Sequence, residues 1–89
     1  MPRVVFTSNL QRHVNCPEGR VAAGTVGGAL AQVFAAQPQA RGYVLDEQGH
    51  LRKHVVVFVD GQRVRDRERL SDPVGEASEI YVLQALTGG

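Results

Sequence analysis

This 89-residue sequence has only one cysteine, no tryptophan and no large excess of charge of either sign. The single cysteine, Cys16, excludes an intrachain disulfide. Ten Lys+Arg against nine Asp+Glu give a formal charge of +1. Binding to nucleic acid as the main function would require a concentrated basic face. We therefore expect no nucleic-acid partner.

Long apolar runs are also lacking. The N-terminus has no apolar h-region of the kind found in a secretory signal, and no segment approaches the length that spans a membrane. Together with the isolated cysteine, these absences predict a cytoplasmic protein that has no membrane partner.

Metal-ligating and catalytic patterns are absent as well. The spacing of His13, His50 and His54 relative to Cys16 matches no zinc motif. No set of side chains forms a nucleophile with its base, so we predict neither a metal site nor an enzyme. The composition, 43% hydrophobic and 21% charged, is typical of one soluble domain. At this length its core is too small to enclose a catalytic cavity.

The first half of the chain predicts a hairpin followed by a helix. Residues 3–8 are β-branched and aromatic, and a short second strand is expected at 20–22 after a turn-rich segment. Thr25 is a good helix N-cap. The apolar residues that follow lie on one helical stripe, namely Val26, Leu30, Val33 and Phe34. Pro38 is expected to end this helix, and 39–52 to form an irregular connection with at most one helical turn.

The second half predicts strands. Residues 54–59 give the strongest strand signal, and the dipeptide Asp60-Gly61 suits a tight hairpin turn into a short strand at 62–64. A charged loop, with Leu70 as an apolar plug, leads to a last strand at 79–86. The order β-β-α-β-β-β predicts an α+β domain in which one main helix packs on a mixed five-stranded sheet.

The strand at 54–59 is apolar on both faces, although one face is enough to cover a helix. One set of its side chains therefore points away from the helix. Phe58, together with Leu83 from the last strand, is our candidate for an apolar docking patch. The competing interpretation, which the pattern does not exclude, is that residues 39–52 fold over that face and bury it.

The chain ends with Thr87-Gly88-Gly89, and here it resembles a known family. A domain of this element order and size that ends in Gly-Gly is similar to the ubiquitin-like β-grasp sulfur carriers of the MoaD/ThiS type, and most similar to the CysO-like branch. The matching segments are the Thr25-led helix, Leu51-Arg52-Lys53-His54-Val55, Val59-Asp60-Gly61, Ile80-Tyr81-Val82-Leu83 and the last five residues. The resemblance implies a β-grasp domain over 1–84 and a flexible tail over 85–89.

By this resemblance, a MoeB/ThiF-like enzyme uses ATP to adenylate the carboxylate of Gly89, and sulfur then replaces AMP to give a thiocarboxylate. Leu86, Thr87 and Gly88 are expected to thread into the partner. A second, sulfur-accepting biosynthetic enzyme consumes the thiocarboxylate, and cysteine biosynthesis or a related sulfur pathway is favoured. Some relatives also need a JAMM-type metalloprotease to expose the Gly-Gly end. The chain itself binds no cofactor tightly.

Two other functions remain open from the sequence. A ubiquitin-like modifier would be joined through Gly89 to lysines of other proteins. A plain β-grasp interaction module would make no chemical use of its tail. The pathway that receives the sulfur is not encoded in any residue pattern of this chain.

Overall fold

The computed structural model describes residues 1–7 and 19–84. In chain order these residues form β1 (Arg3–Phe6), β2 (Gly19–Arg20), α1 (Val26–Ala36), α2 (Pro38–Val44), β3 (Val55–Val59), β4 (Gln62–Arg63) and β5 (Glu79–Gln84). Neither helix in these two ranges has the length and apolar character that crossing a membrane requires.

The strands form one mixed five-stranded sheet in the order β2-β1-β5-β3-β4. The first and last strands of the chain, β1 and β5, lie side by side and parallel. Strand β3 flanks the other side of β5 in antiparallel orientation. The two helices share one apolar core with one face of this sheet. The predicted α+β class and the mixed five-stranded sheet are confirmed.

Helix α1 begins where the sequence predicts, because Thr25 caps it. The Thr25 side-chain oxygen accepts a hydrogen bond from the Gly28 amide at 3.0 Å. The two amides before it donate to a distant loop: Val26 N to the Asp72 carbonyl at 3.0 Å and Gly27 N to the Leu70 carbonyl at 2.8 Å. The amides of the first turn have no hydrogen-bond acceptor within the helix. Here they bind carbonyls of the loop before β5 and so anchor that loop to α1.

The core lies between the helices and the sheet. Of the predicted helical stripe, Val26, Leu30 and Phe34 are buried, and Val33 is half-buried against the core. The largest side chains with almost no exposure are Leu30, Ile80, Val4, Val26, Val44, Val55, Val57 and Val82. Aliphatic groups from three adjacent strands and both helices thus form a single cluster, as a domain of this size requires.

A second helix corrects the prediction for residues 39–52. Pro38 does follow the end of α1 at Ala36, but it also occupies the first turn of α2, which continues to Val44. Proline is favoured at this position because its missing amide would have no partner in the first turn anyway. The single-helix layer predicted from the sequence is therefore a two-helix layer.

The segment 39–52 does not bury the outer face of the sheet. Its buried side chains, Ala40, Val44, Leu45 and Leu51, belong to the same cluster as the helix-facing strand residues. An isolated bridge between Leu45 and Leu51 closes the segment on the helix side. The interpretation in which this segment covers the outer face is wrong.

Several strand boundaries differ slightly from prediction. Strand β1 ends at Phe6, so Thr7 is not part of it, and β2 begins one residue early, at Gly19. Strand β2 ends at Arg20, and β4 ends at Arg63, one residue before Val64. The chain stays close to the sheet in both places, since Val21 N donates to the Pro2 carbonyl at 3.0 Å and Val64 N to the Val57 carbonyl at 2.8 Å. Strand β3 starts one residue later than predicted. The predicted last residue of β1, at position 8, lies outside the described ranges.

The predicted tight turn connects β3 and β4, with positive φ at Asp60 (51°) and Gly61 (83°). The Asp60 carboxylate accepts hydrogen bonds from the Ser78 hydroxyl and the Glu79 amide, each at 2.9 Å. The turn residue therefore also fixes the start of β5.

Two aspartates organise the loop between β4 and β5. The Asp66 carboxylate accepts bonds from the Ser71 hydroxyl at 2.6 Å and from the amides of Arg69 and Glu68. The Asp72 carboxylate accepts from the amides of Arg65 and Asp66, each at 2.9 Å. The Ser71 hydroxyl and the loop amides lower the pKa of Asp66 from 3.8 to about 2.

The lowered pKa predicts that Asp66 makes the stability of the folded domain sensitive to acid. Because the pKa of Asp66 is lower in the folded state than in the unfolded state, its ionised carboxylate stabilises the fold at pH values above the unfolded pKa. This stabilisation is lost as the pH falls through the folded pKa of about 2. Between about pH 4 and pH 2, urea midpoints of the wild type should fall more steeply than those of Asp66→Asn. Glu68→Gln, an exposed neighbour, is the control and should follow the wild type. Parallel curves for wild type and Asp66→Asn would contradict the prediction.

The two adjacent glycines of α1 are expected to respond differently to substitution by alanine. A Cβ on Gly27 would lie 3.2 Å from the carbonyl oxygens of Arg69 and Leu70, whereas a Cβ on Gly28 would approach mainly the Thr25 hydroxyl at 3.3 Å. Gly28→Ala should raise the free energy of unfolding by about 0.5–1 kcal/mol through helix propensity. Gly27→Ala should lower it, because the loop backbone must move. Equal effects in chemical denaturation would show that the loop yields without cost.

Candidate functional site

Strand alternation leaves an apolar patch on the sheet face opposite the helices. In β1, Val4 and Phe6 enter the core; in β5, Ile80 and Val82 do so; in β3, Val55 and Val57. The side chains between them point to the other face, because successive strand residues alternate sides. The outer patch consists of Val5, Val56, Phe58, Tyr81 and Leu83.

The register of the sheet brings these residues together. Tyr81 of β5 pairs with Val5 on one side and Phe58 on the other, and Leu83 pairs with Val56. Side chains of directly paired residues contact one another across strands. Val56 is 8% exposed, and the other four are half-buried. The outer patch is therefore a continuous apolar surface at the centre of the sheet.

Both predicted docking residues lie on this patch. The sequence did not show which set of β3 side chains faces the helix; the structure directs Phe58 outward, on the same face as Leu83 of β5. Tyr81 and Val5 were not singled out from the sequence. The sequence pattern could have indicated them, because each is the strand neighbour of a core residue, Ile80 or Val4, and therefore points to the opposite face. Docking itself stays a prediction for all of these residues.

Charged side chains border the outer patch. Arg3 forms an ion pair with Glu79, and one of its guanidinium nitrogens lies 3.5 Å from the Tyr81 hydroxyl. Arg20 on β2 pairs with Arg3, and Arg63 on β4 pairs with Phe58. Both Arg20 and Arg63 are exposed. The outer patch thus has an arginine on each edge strand of the sheet.

The C-terminal tail continues from the central strand. Gln84, the last residue of β5, pairs with Val55. On the other side the Thr7 amide donates to the Val82 carbonyl at 3.0 Å. Five residues follow Gln84, so Gly89 lies at most about 17 Å from it. The predicted tail residues, Leu86, Thr87, Gly88 and Gly89, lie outside the described ranges.

Basic residues stand beside the end of β5. The only lysine of the sequence, Lys53, is exposed, and His54 is half-buried, in the turn that leads into Val55.

Within residues 1–7 and 19–84, no group of three or more His, Cys, Asp or Glu side chains is arranged to hold a metal ion. His13 and Cys16, which entered the sequence argument on metals, are outside those ranges.

Comparison with known families settles where the chain belongs. The model of the ThiS family matches residues 19–89, which include the terminal Gly88-Gly89. The chain belongs to the ThiS family. Its relatives include small ubiquitin-like sulfur carrier and modifier proteins.

Several solved structures share this fold. SAMP1 of Haloferax volcanii is 22% identical, with 99% of this chain and 98% of SAMP1 covered and a TM-score of 0.81. A chain of the BexX/CysO complex of Amycolatopsis orientalis is 20% identical over 100% of both chains, with a TM-score of 0.82. CysO of Mycobacterium tuberculosis is 18% identical, covers 97% of this chain and 100% of its own, and has a TM-score of 0.80. No curated protein sequence gives a significant match.

Neighbouring residues of β3 test which face is the core. Val57 has no exposed surface, so Val57→Asp would bury a carboxylate without a partner and should unfold the domain. Phe58→Asp places the same charge on the outer face beside Arg63, and the domain should remain folded. Amide dispersion in two-dimensional NMR spectra distinguishes the two. Unfolding of both variants would contradict an accessible outer patch.

Proposed function

We propose that this ThiS-family chain is a sulfur carrier whose reactive group is the C-terminal carboxylate of Gly89. The observation that carries the proposal is the family match, which extends through the final Gly-Gly. The position of β5 supports it, because the tail begins at a strand held by neighbours on both sides. A tail attached to a rigid central strand has a defined starting point when the domain docks on an enzyme.

The proposed chemistry has two steps. A carboxylate oxygen of Gly89 attacks the α-phosphorus of ATP in a MoeB/ThiF-like enzyme, and pyrophosphate leaves. Sulfide then attacks the carbonyl carbon of the acyl-adenylate and AMP leaves, giving a thiocarboxylate. If a persulfide is the donor, a thiol must cleave the resulting acyl disulfide. Glycine suits this position, because a residue without Cβ leaves the carboxyl carbon unhindered.

Partner docking follows from the short tail. A reach of at most about 17 Å from Gln84 means that Gly89 enters a buried nucleotide site only if the domain itself contacts the enzyme. The outer patch, with Phe58 and Leu83, is our candidate for that contact. The BexX/CysO complex provides a precedent, since it contains a protein of this fold bound to a partner.

The sulfur acceptor is proposed by analogy. Likeness to CysO proteins supports a second enzyme that makes a cysteine- or homocysteine-type amino acid or another sulfur-containing metabolite. The thiocarboxylate sulfur would attack an electrophile bound in that enzyme. A JAMM-type metalloprotease would take part only if the Gly-Gly end were made from a longer precursor.

Protein modification is the second candidate function, and the likeness to SAMP1, a small archaeal modifier protein, favours it. The activated carboxyl of Gly89 would then acylate lysines of other proteins. Because Lys53 is the only lysine here, a lysine-linked polymer of this chain would have to run through that exposed residue. Carrier and modifier share the adenylate and differ in the acceptor.

Intact-mass spectrometry of the protein from cells that contain its natural partners distinguishes these functions. A species heavier by the mass difference between sulfur and oxygen, absent from a variant lacking Gly89, is the expected result. Isopeptide adducts without that species would favour the modifier. If neither appears and the partners are present, the chain is an interaction module and the proposal fails.

Adenylation kinetics test the docking role of Phe58. With a MoeB/ThiF-type enzyme and ATP, Phe58→Asp should lower kcat/KM for pyrophosphate release by about tenfold or more, since aromatic anchors dominate interfaces. Tyr43→Asp, which makes the same kind of change at an exposed aromatic residue of α2, is the matched control and should retain wild-type kinetics. Unchanged kinetics for folded Phe58→Asp would remove Phe58 from the interface.

A further inference from the structure

Two exposed arginines lie on the outer face of the sheet, one on each edge strand. Arg20 of β2 pairs with Arg3, whose side chain reaches Glu79 and Tyr81 on that face. Arg63 of β4 pairs with Phe58. Directly paired strand residues project to the same side of a sheet. Both arginines therefore border the outer patch from opposite edges.

Neither arginine is neutralised within the described part of the chain. There the ion pairs join Arg3 to Glu79 and the N-terminal amine to Glu76. The Arg20 guanidinium reaches only the Met1 carbonyl, at 3.5 Å, and no carboxylate of those residues lies within ion-pair distance of Arg63. With Arg3 paired, residues 1–7 and 19–84 leave two positive charges uncompensated on the outer face, although the whole chain has a formal charge of only +1.

The sheet order sets the spacing of these charges. Strands β2 and β4 are separated by four strand intervals, through β1, β5 and β3. At about 4.8 Å per interval the two edges are about 19 Å apart. The space between them holds the apolar side chains of the outer patch and, next to Arg20, the Arg3–Glu79 ion pair. Such a surface matches a partner that is apolar in the middle and acidic on both sides.

We infer that the adenylating partner meets this face with an apolar area between two acidic clusters spaced by about 19 Å. This inference rests on the proposed function and adds the chemistry of the partner's surface. Each guanidinium can accept a carboxylate in a bidentate pair. Charges at the rim of an interface mainly raise the association rate and select the partner, while the apolar centre supplies affinity.

Nucleic acid does not fit the same face. A phosphate backbone is followed by an unbroken basic stripe. Here Arg20 and Arg63 are separated by the outer patch, and the intervening Arg3 is paired with Glu79. Two separate cations around an apolar centre favour an acidic protein surface.

Charge reversals with a matched control test the inference. Arg20→Glu, Arg63→Glu and the double variant are compared with Arg69→Glu. Arg69 is exposed and lies on the helix side, where its carbonyl approaches Gly27. Each single variant changes the net charge equally, so general charge effects cancel. Association with a MoeB/ThiF-type enzyme is measured by surface plasmon resonance at about 50 and 500 mM NaCl, where screening differs strongly.

At the lower salt concentration, each outer-face reversal should slow association several-fold, and the double variant about tenfold or more, while Arg69→Glu stays near wild type. At the higher salt concentration the differences should shrink. Equal behaviour of Arg63→Glu, Arg20→Glu and Arg69→Glu at low salt would overturn the inference. So would tighter binding of single-stranded RNA than of the enzyme, if the same reversals abolished it.

Failure of this inference differs from failure of the proposed function. If the wild type is adenylated and gains sulfur while the reversals have no effect on association, the carrier function stands and the acidic clusters are ruled out. If the reversals slow association but no adenylate forms, the docking surface stands and the tail chemistry is lost. Absence of any binding overturns both.

Discussion

The parallel pairing of β1 with β5 is the constraint on which the rest of the structure depends. It places the last strand of the chain between β1 and β3 at the sheet centre. Ile80 and Val82 can then enter the core, while Tyr81 and Leu83 lie on the opposite face. Because Gln84 ends this central strand, the tail starts at the middle of the sheet rather than at an edge. Core, outer patch and tail origin all follow from one strand.

Local signals predicted most elements, because their chemistry is local. Thr25 caps α1 through its own side chain, and Asp60-Gly61 adopts the positive φ values of a tight turn. Helix α2 was missed because Pro38 reads equally as the end of one helix and the first turn of the next. The outward direction of Phe58 was not predictable either. Valine-rich β3 is apolar on both faces, and only pairing with distant strands selects one.

The described residues form the outer patch that is proposed for docking, whereas the proposed reacting group is the carboxylate of Gly89 at the end of the tail. A protein that is a substrate for enzymes needs a recognisable body and an accessible end, not a catalytic cavity. Here the loop before β5 is tied to α1 through Leu70 and Asp72 carbonyls, so the body is cross-linked by hydrogen bonds far from the outer patch. The face on which partners are proposed to act remains free of those structural contacts.

Pairing between strands at the two ends of the chain also affects synthesis. Arg3 lies opposite Glu79, so the centre of the sheet cannot close until β5 has left the ribosome. Long-range pairing of this kind slows folding, because the intervening chain must first be confined. A product truncated before β5 lacks the strand that both neighbours need. Because Tyr81 and Leu83 belong to β5, the outer patch is complete only in a chain that has been synthesised through this strand.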